Sequence, residues 1–151
     1  MVEATVSGVL SIEGKILLVR HTYGVAKDRI LLPGGHVKPG EMAEEAVSRE
    51  ILEETGVLAR PLGLIGTRIK KDEWLLLYRM QYVSGTPVTD GYENSEVLLL
   101  SPEEAVKRED IMPLSRELCR AVGRETVIEF PYNPDLKFQG IPDVEYMIYG
   151  F

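Results

Sequence analysis

GGHVKPGEMAEEAVSREILEETGV, residues 34–57, carries six glutamates, and three of them, Glu50, Glu53 and Glu54, fall within five positions. Residues 42–55 are strong helix formers, and Gly56 stands where a C-cap glycine would. On a helical wheel of about 100° per residue with Glu50 at zero, Glu53 falls at about −60° and Glu54 at about +40°. Ala43, Ala46 and Val47 fall at about +20°, −40° and +60°. The acids therefore share a face with the small apolar residues and are expected to point toward the protein. That placement breaks several local preferences. Like charges at i,i+3 and i,i+4 repel by about 0.2–0.5 kcal/mol per pair, and the macrodipole disfavours anions at a helix C-terminus. A hard divalent cation resolves the conflict, because Mg²⁺ takes oxygen ligands and shares them with substrate phosphates. The opposite side, with Glu44, Glu45 and Ser48, reads as solvated, although Leu52 falls there and needs some cover.

Outward from this helix the chain alternates strands and helices without a regular βαβ repeat. Segments 2–10 and 15–22 read as strands joined by a turn at Glu13-Gly14, and 29–32 as a short strand ended by the breaker cluster Pro33-Gly34-Gly35. Beyond the helix, 62–70 and 73–83 read as a hairpin around Lys71-Asp72, followed by a polar loop at 84–94 and a strand at 96–100. Ser101-Pro102-Glu103-Glu104 opens one helix, and 113–124 forms another with Leu114, Leu118, Ala121 and Val122 inward. The fold class expected is α/β in the broad sense, an α+β mixed sheet covered by helices.

The whole chain bounds the answer. A 151-residue chain fits a single domain over 1–151, and a domain of that size buries roughly 68–70% of its unfolded surface. The single cysteine, Cys119, rules out an internal disulfide. The start MVEATVSGVL has neither a basic leader nor a long apolar run, so a cytoplasmic location and no membrane partner are expected. A net charge of −7 repels polyphosphates, so a phosphate partner requires a local basic patch or a bound cation. No long basic track argues for extended nucleic acid.

Spacing completes the pattern. Gly35, five residues, Glu41, seven residues and then Arg49-Glu50-Ile51-Leu52-Glu53-Glu54-Thr55-Gly56-Val57 satisfies every position of the Nudix box, so residues 35–57 resemble that family. Lys15-Ile16-Leu17-Leu18-Val19-Arg20 and Leu31-Leu32-Pro33-Gly34-Gly35 are similar to the strands that lead into the box, and the resemblance extends over roughly residues 4–125. It implies the Nudix fold, an α/β/α sandwich, and Mg²⁺-dependent hydrolysis of a nucleoside diphosphate linked to another group, with Mn²⁺ as a substitute.

By the same resemblance Glu50, Glu53 and Glu54 bind metal, with the carbonyl of Gly34 as an additional ligand, and Glu50 is alternatively the general base. A further glutamate from a loop after the sheet is expected at Glu93 or Glu96, with Glu93 preferred because Glu96 abuts the strand. Arg49, one turn from Glu45 and Glu53, reads as a brace for Glu53. Glu41 reads as an acid at the helix start, suited to the dipole. Arg20, Lys27, Arg29 and Arg68 are candidates for gripping substrate phosphate. His36 reads as a loop histidine with a backbone hydrogen bond, Cys119 as a buried structural thiol, and Trp74 and Tyr78 as core aromatics.

The substrate class expected is a small nucleotide: a nucleoside triphosphate, a nucleotide sugar or ADP-ribose. Positions 72–75 read Asp-Glu-Trp-Leu, without the proline or tyrosine that marks certain subfamilies after the box. The alternative is a non-catalytic Nudix-fold sensor of a nucleotide or nucleotide sugar, and the intact glutamates favour the enzyme. Finally, the aromatic tail 130–151 is expected to pack on its own domain, with a strand at 144–149 that also offers a homodimer contact.

Overall fold

The computed structural model describes residues 1–122 and the backbone of 146–150. Strands β1 (Glu3–Ile12) and β2 (Lys15–His21) form the expected hairpin. Its turn residues Glu13 and Gly14 both have positive φ, 50° and 78°, which is the requirement of a type I′ turn. The two strands pair only at Ser11↔Ile16 and Ile12↔Lys15 and then part company. β2 continues between β3 (Ile30–Leu31) and β7 (Asn94–Leu100). β1 continues between β4 (Gly34–His36) and β6 (Glu73–Ser84), and β6 pairs with β5 (Leu58–Lys70). Among the described strands every pairing is antiparallel except β1 with β6, so the sheet is mixed, as expected.

Period-2 alternation gives this sheet two apolar faces. Val6, Leu10, Leu17, Tyr78 and Met80 pack with Ala46, Val47 and Ile51 of α1 (Ala43–Thr55). Val9, Ile16, Leu18, Leu75 and Leu77 point the other way, onto Ala105 of α2 (Pro102–Lys107) and Leu118 and Cys119 of α3 (Pro113–Ala121). Helices on both faces make the α/β/α sandwich. α2 starts on a capping box in which Ser101 Oγ accepts from the Glu104 N–H and the Glu104 carboxylate accepts from the Ser101 N–H. Cys119 is fully buried and burial pushes its thiol up to about 12, which suits a structural role.

Several details differ from the sequence reading. β3 ends ahead of Pro33 as expected, but Gly34 and Gly35 then open a further strand, β4, against Val6 and Ser7. β5 begins at Leu58 rather than 62, and bulges around Pro61–Gly63 accommodate the proline. Trp74, expected in the core, is 51% exposed, whereas Tyr78 is buried with its hydroxyl donating to Glu44. Leu52 lies on the solvated side of α1 without burial. In the tail, β8 (Tyr146–Gly150) pairs antiparallel with β5, so the strand expected there adds to the chain's own sheet. The remainder of that tail lies outside the described residues.

Candidate metal and phosphate site

The crowded glutamates of α1 sort by depth. Glu50 and Glu54 lie among the buried residues of the helix with Ala46, Val47 and Ile51, while Glu53 faces outward, its side chain 54% exposed. The helix ends where Gly56 takes φ 70° and returns its N–H to the Leu52 carbonyl. β4 lies beside the acids, and this explains Gly35 by close approach: a Cβ there would stand 2.5 Å from the Glu50 carboxyl carbon. Gly34 is constrained similarly, since a Cβ would run into the Val6 carbonyl.

Arg49 braces more than Glu53. Its Nε donates to Glu41 Oε1 at 2.7 Å, Nη2 to Glu41 Oε2 and the His36 carbonyl at 3.0 Å, and Nη1 to Glu50 Oε1 at 2.6 Å and Glu53 Oε2 at 3.0 Å. One guanidinium thus ties the β4 exit, the loop before α1 and two box glutamates together. Glu41 is accordingly not a capping acid. Arg49 and the Lys38 amide hold its carboxyl down to about 2, and the acid that accepts from the N-cap amide, that of Met42, is Glu45. Among the described residues no three His, Cys, Asp or Glu side chains stand in ready metal-ligand geometry. Glu41, Glu50 and Glu53 converge on Arg49 instead.

Glu54 is different. It is 2% exposed, and its Oε2 is buried with no hydrogen-bond partner among the described residues. Burial first, then the charges of Glu50, Glu93 and Asp90, push its carboxyl up to about 9, against the opposing pull of the Gly34 amide. Glu50 is raised in the same direction by burial, with Glu53 and Glu93 adding to it and Arg49 opposing. A buried all-oxygen donor set with an orphaned carboxylate oxygen fits a hard divalent cation. Glu50 and Glu54 are the two buried carboxylates of this helix that could serve as such donors.

Glu93 joins these acids from the loop before β7. Thr22 holds that loop through its N–H and Oγ1, both donating to the Glu93 carbonyl at 3.1 Å. Fully buried Asn94 anchors the other side, its Nδ2 donating to the Glu54 carbonyl at 2.8 Å. Glu96 points elsewhere, to Arg20. No sequence signal distinguished Asn94 as this clamp, because its partner is 40 residues away.

The basic candidates are engaged away from the acids. Arg20 pairs with Glu96 and Asp110 at 2.9 Å each, Arg68 with Glu73 at 3.0 Å, and Arg29 donates to the Glu109 carbonyl at 3.3 Å. None of the three is bonded to Glu50, Glu53 or Glu54. The lysine nearest the cluster is one the sequence did not single out: Lys38 Nζ lies 3.9 Å from Glu53 Oε1 and is largely exposed. His36 is also exposed, on β4, and pairs with Glu3 at 3.4 Å.

The mixed sandwich and the acid-lined helix define a domain class, and comparison with known proteins gives it a name. The NUDIX domain pattern matches residues 1–122, and the chain belongs to the Nudix family. It is 42% identical over 67 residues to an ADP-ribose pyrophosphatase of Methanocaldococcus jannaschii, a match covering 44% of this chain and 40% of that protein. It is also 42% identical over 57 residues to the Escherichia coli K12 phosphatase NudJ, covering 38% and 37%. The chain therefore aligns with less than half the length of either relative. Among solved structures, a MutT Nudix hydrolase of Burkholderia pseudomallei superposes with a TM-score of 0.71 at 20% identity, covering 81% of this chain and 98% of that one.

Proposed function

We propose that this protein is a Mg²⁺-dependent pyrophosphohydrolase that cleaves the diphosphate linkage of a small nucleotide, a nucleoside diphosphate joined to a further group. The single observation that carries this reading is Glu54: a buried carboxylate with an orphaned oxygen, beside Glu50 and Glu93, on a helix whose glycine and arginine neighbours are shaped around it. Fold architecture alone would not suffice, because function resides in the site. The name of the archaeal relative, an ADP-ribose pyrophosphatase, supports a diphosphate-linked substrate.

Glu50, Glu53, Glu54 and the Gly34 carbonyl would hold the metal, with Mn²⁺ as a substitute for Mg²⁺. When bound, the metal neutralises phosphate oxygens and lowers the pKa of a coordinated water. The chain's own residues do the rest. Arg49 fixes Glu50 and Glu53 in single orientations, which limits the reorganisation required when substrate arrives. Glu93, on a loop pinned by Thr22 and Asn94, is placed to accept a proton from a water entering the cluster, a role that Glu50 shares as candidate. Arg20 and Arg68 act as structural ion pairs in this reading, and Lys38 is the side chain best placed to meet an outer phosphate.

The decisive experiment incubates the full chain with Mg²⁺ and a panel of nucleoside triphosphates, nucleotide sugars, ADP-ribose and capped RNA, and separates the products. Cleavage of a small nucleotide between its phosphates is the expected result. Binding without turnover would establish the sensor reading instead, and cleavage of capped RNA alone would overturn the small-nucleotide assignment.

A further inference from the structure

Tyr23 is an exposed aromatic with an unusually fixed ring. It is 54% exposed, at the end of β2, yet its ring lies nearly parallel to that of His21, with centroids 5.4 Å apart and planes 12° from each other. Its hydroxyl lies 3.4 Å from Glu93 Oε2 and donates to it. His21 is itself enclosed: its Nε2 is buried, without a hydrogen-bond partner among the described residues, its strand position is opposite Asn94 at a bulge, and burial keeps the imidazole below its ordinary value and therefore neutral at pH 7. Thr22, between the two, is hydrogen-bonded to the Tyr92 and Glu93 carbonyls. An aromatic side chain on a loop ordinarily keeps its rotamer freedom. Here one face rests on His21, the hydroxyl edge is tied to Glu93, and the outer face meets solvent.

The placement matters because the same glutamate links the ring to the acids. Burial, then the charges of Glu93, Glu54 and Glu50, raise the Tyr23 hydroxyl above its ordinary value, so the ring lies within the field of the cluster. In a nucleotide, the base stands one ribose away from the phosphates. We propose that the outer face of the Tyr23 ring is the platform on which the planar base of the nucleotide stacks while its diphosphate lies against Glu50, Glu54 and Glu93. This rests on the pyrophosphohydrolase reading and adds to it a residue that determines which substrates bind: those with a flat base are favoured over equally charged diphosphates without one. Stacking on a pre-set ring suits this role, because every base has a π-face and the ring's ordering is already accomplished before binding.

The test is calorimetric, with Mg²⁺ present, using two probes that resist hydrolysis: α,β-methylene-ADP, which carries a base, and methylenediphosphonate, which does not. Parent, Tyr23→Ala, Tyr23→Leu and Tyr23→Phe proteins are compared. The expected result is that the alanine and leucine variants bind the nucleotide about tenfold or more weakly, the effect of losing one base–aromatic stack, while affinity for methylenediphosphonate changes by no more than about twofold. Tyr23→Phe keeps the face and is expected to remain within about threefold of the parent for the nucleotide. Because the leucine variant keeps apolar bulk against His21, it serves if the alanine variant is poorly folded. Unchanged nucleotide affinity in both, or an equal loss for both probes, would overturn the platform and leave the proposed function standing. A parent protein that binds neither probe would overturn both.

Discussion

The metal-free protein should lose stability as pH rises from 7 to 8.5, and the cause should be Glu54. Its folded carboxyl is pushed up to about 9 by burial and by Glu50, whereas an unfolded glutamate titrates near 4.3. Between those values the folded state holds a proton that the unfolded state has released. With one more proton on the folded state, stability falls by up to about 1.4 kcal/mol per pH unit, a ceiling of about 2 kcal/mol across the window. The window largely avoids the other titrating groups. His21, lowered by burial, makes stability rise with pH only around and below its ordinary 6.5, and Cys119, raised from 9 to about 12, begins to favour unfolding only near 9. Glu41 and Glu73, both lowered, contribute stability that is fully present above pH 5. Urea unfolding in EDTA at half-unit pH steps measures the slope. Glu54→Gln should flatten it, and Mg²⁺ should do the same in the parent while stabilising more at pH 8.5 than at pH 7, since the cation competes with the proton. A flat or rising profile in EDTA, or a slope that persists in Glu54→Gln, would refute the claim that this buried carboxylate lacks a partner.

Glu53→Gln should lower hydrolysis about 100-fold or more yet alter stability by no more than about 0.5 kcal/mol, because Glu53 is half exposed and, among the described residues, tied to Arg49 and Lys38 alone; full activity, or a large loss of stability, would contradict its place as a ligand. Gly35→Ala should displace the Glu50 carboxylate, whose Cδ lies 2.5 Å from the added Cβ, and raise the Mg²⁺ concentration for half-maximal stabilisation about 10- to 100-fold. An unchanged Mg²⁺ midpoint would show that Glu50 is not held by that approach.

The parts of this account that were legible in the sequence are those carried by local periodicity. The wheel of residues 42–55 put three glutamates on the apolar face, and α1 does bury Glu50 and Glu54 beside Ala46 and Val47, but Glu53, at the edge of that arc, faces outward. Gly56 and Glu13-Gly14 read as a cap and a turn from their residue types and positions, and all three take positive φ. What failed was non-local. Gly34 and Gly35 read as breakers because glycine disfavours strands, yet they are needed where β4 passes close to Val6 and Glu50. Arg20 was open to a phosphate role because its partners Glu96 and Asp110 lie 76 and 90 residues away. Trp74 alternates in step with half-buried Leu76 and buried Tyr78 but sits at the β6 end where burial fades. The reach of Arg49 to Glu41, eight residues back, depends on the loop that returns through Lys38.

In the proposed function this acid cluster, loaded with a divalent cation, directs water onto a diphosphate. Hydrolysis of ADP-ribose and of nucleoside triphosphates in ¹⁸O-labelled water, followed by mass spectrometry of the products, tests it most directly. For at least one of these nucleotides, a phosphate group of one product should carry the label when Mg²⁺ is present, none should do so in EDTA, and Glu54→Gln should abolish incorporation. Labelled product of equal yield in EDTA, or no incorporation from any of them with Mg²⁺ or Mn²⁺, would contradict it.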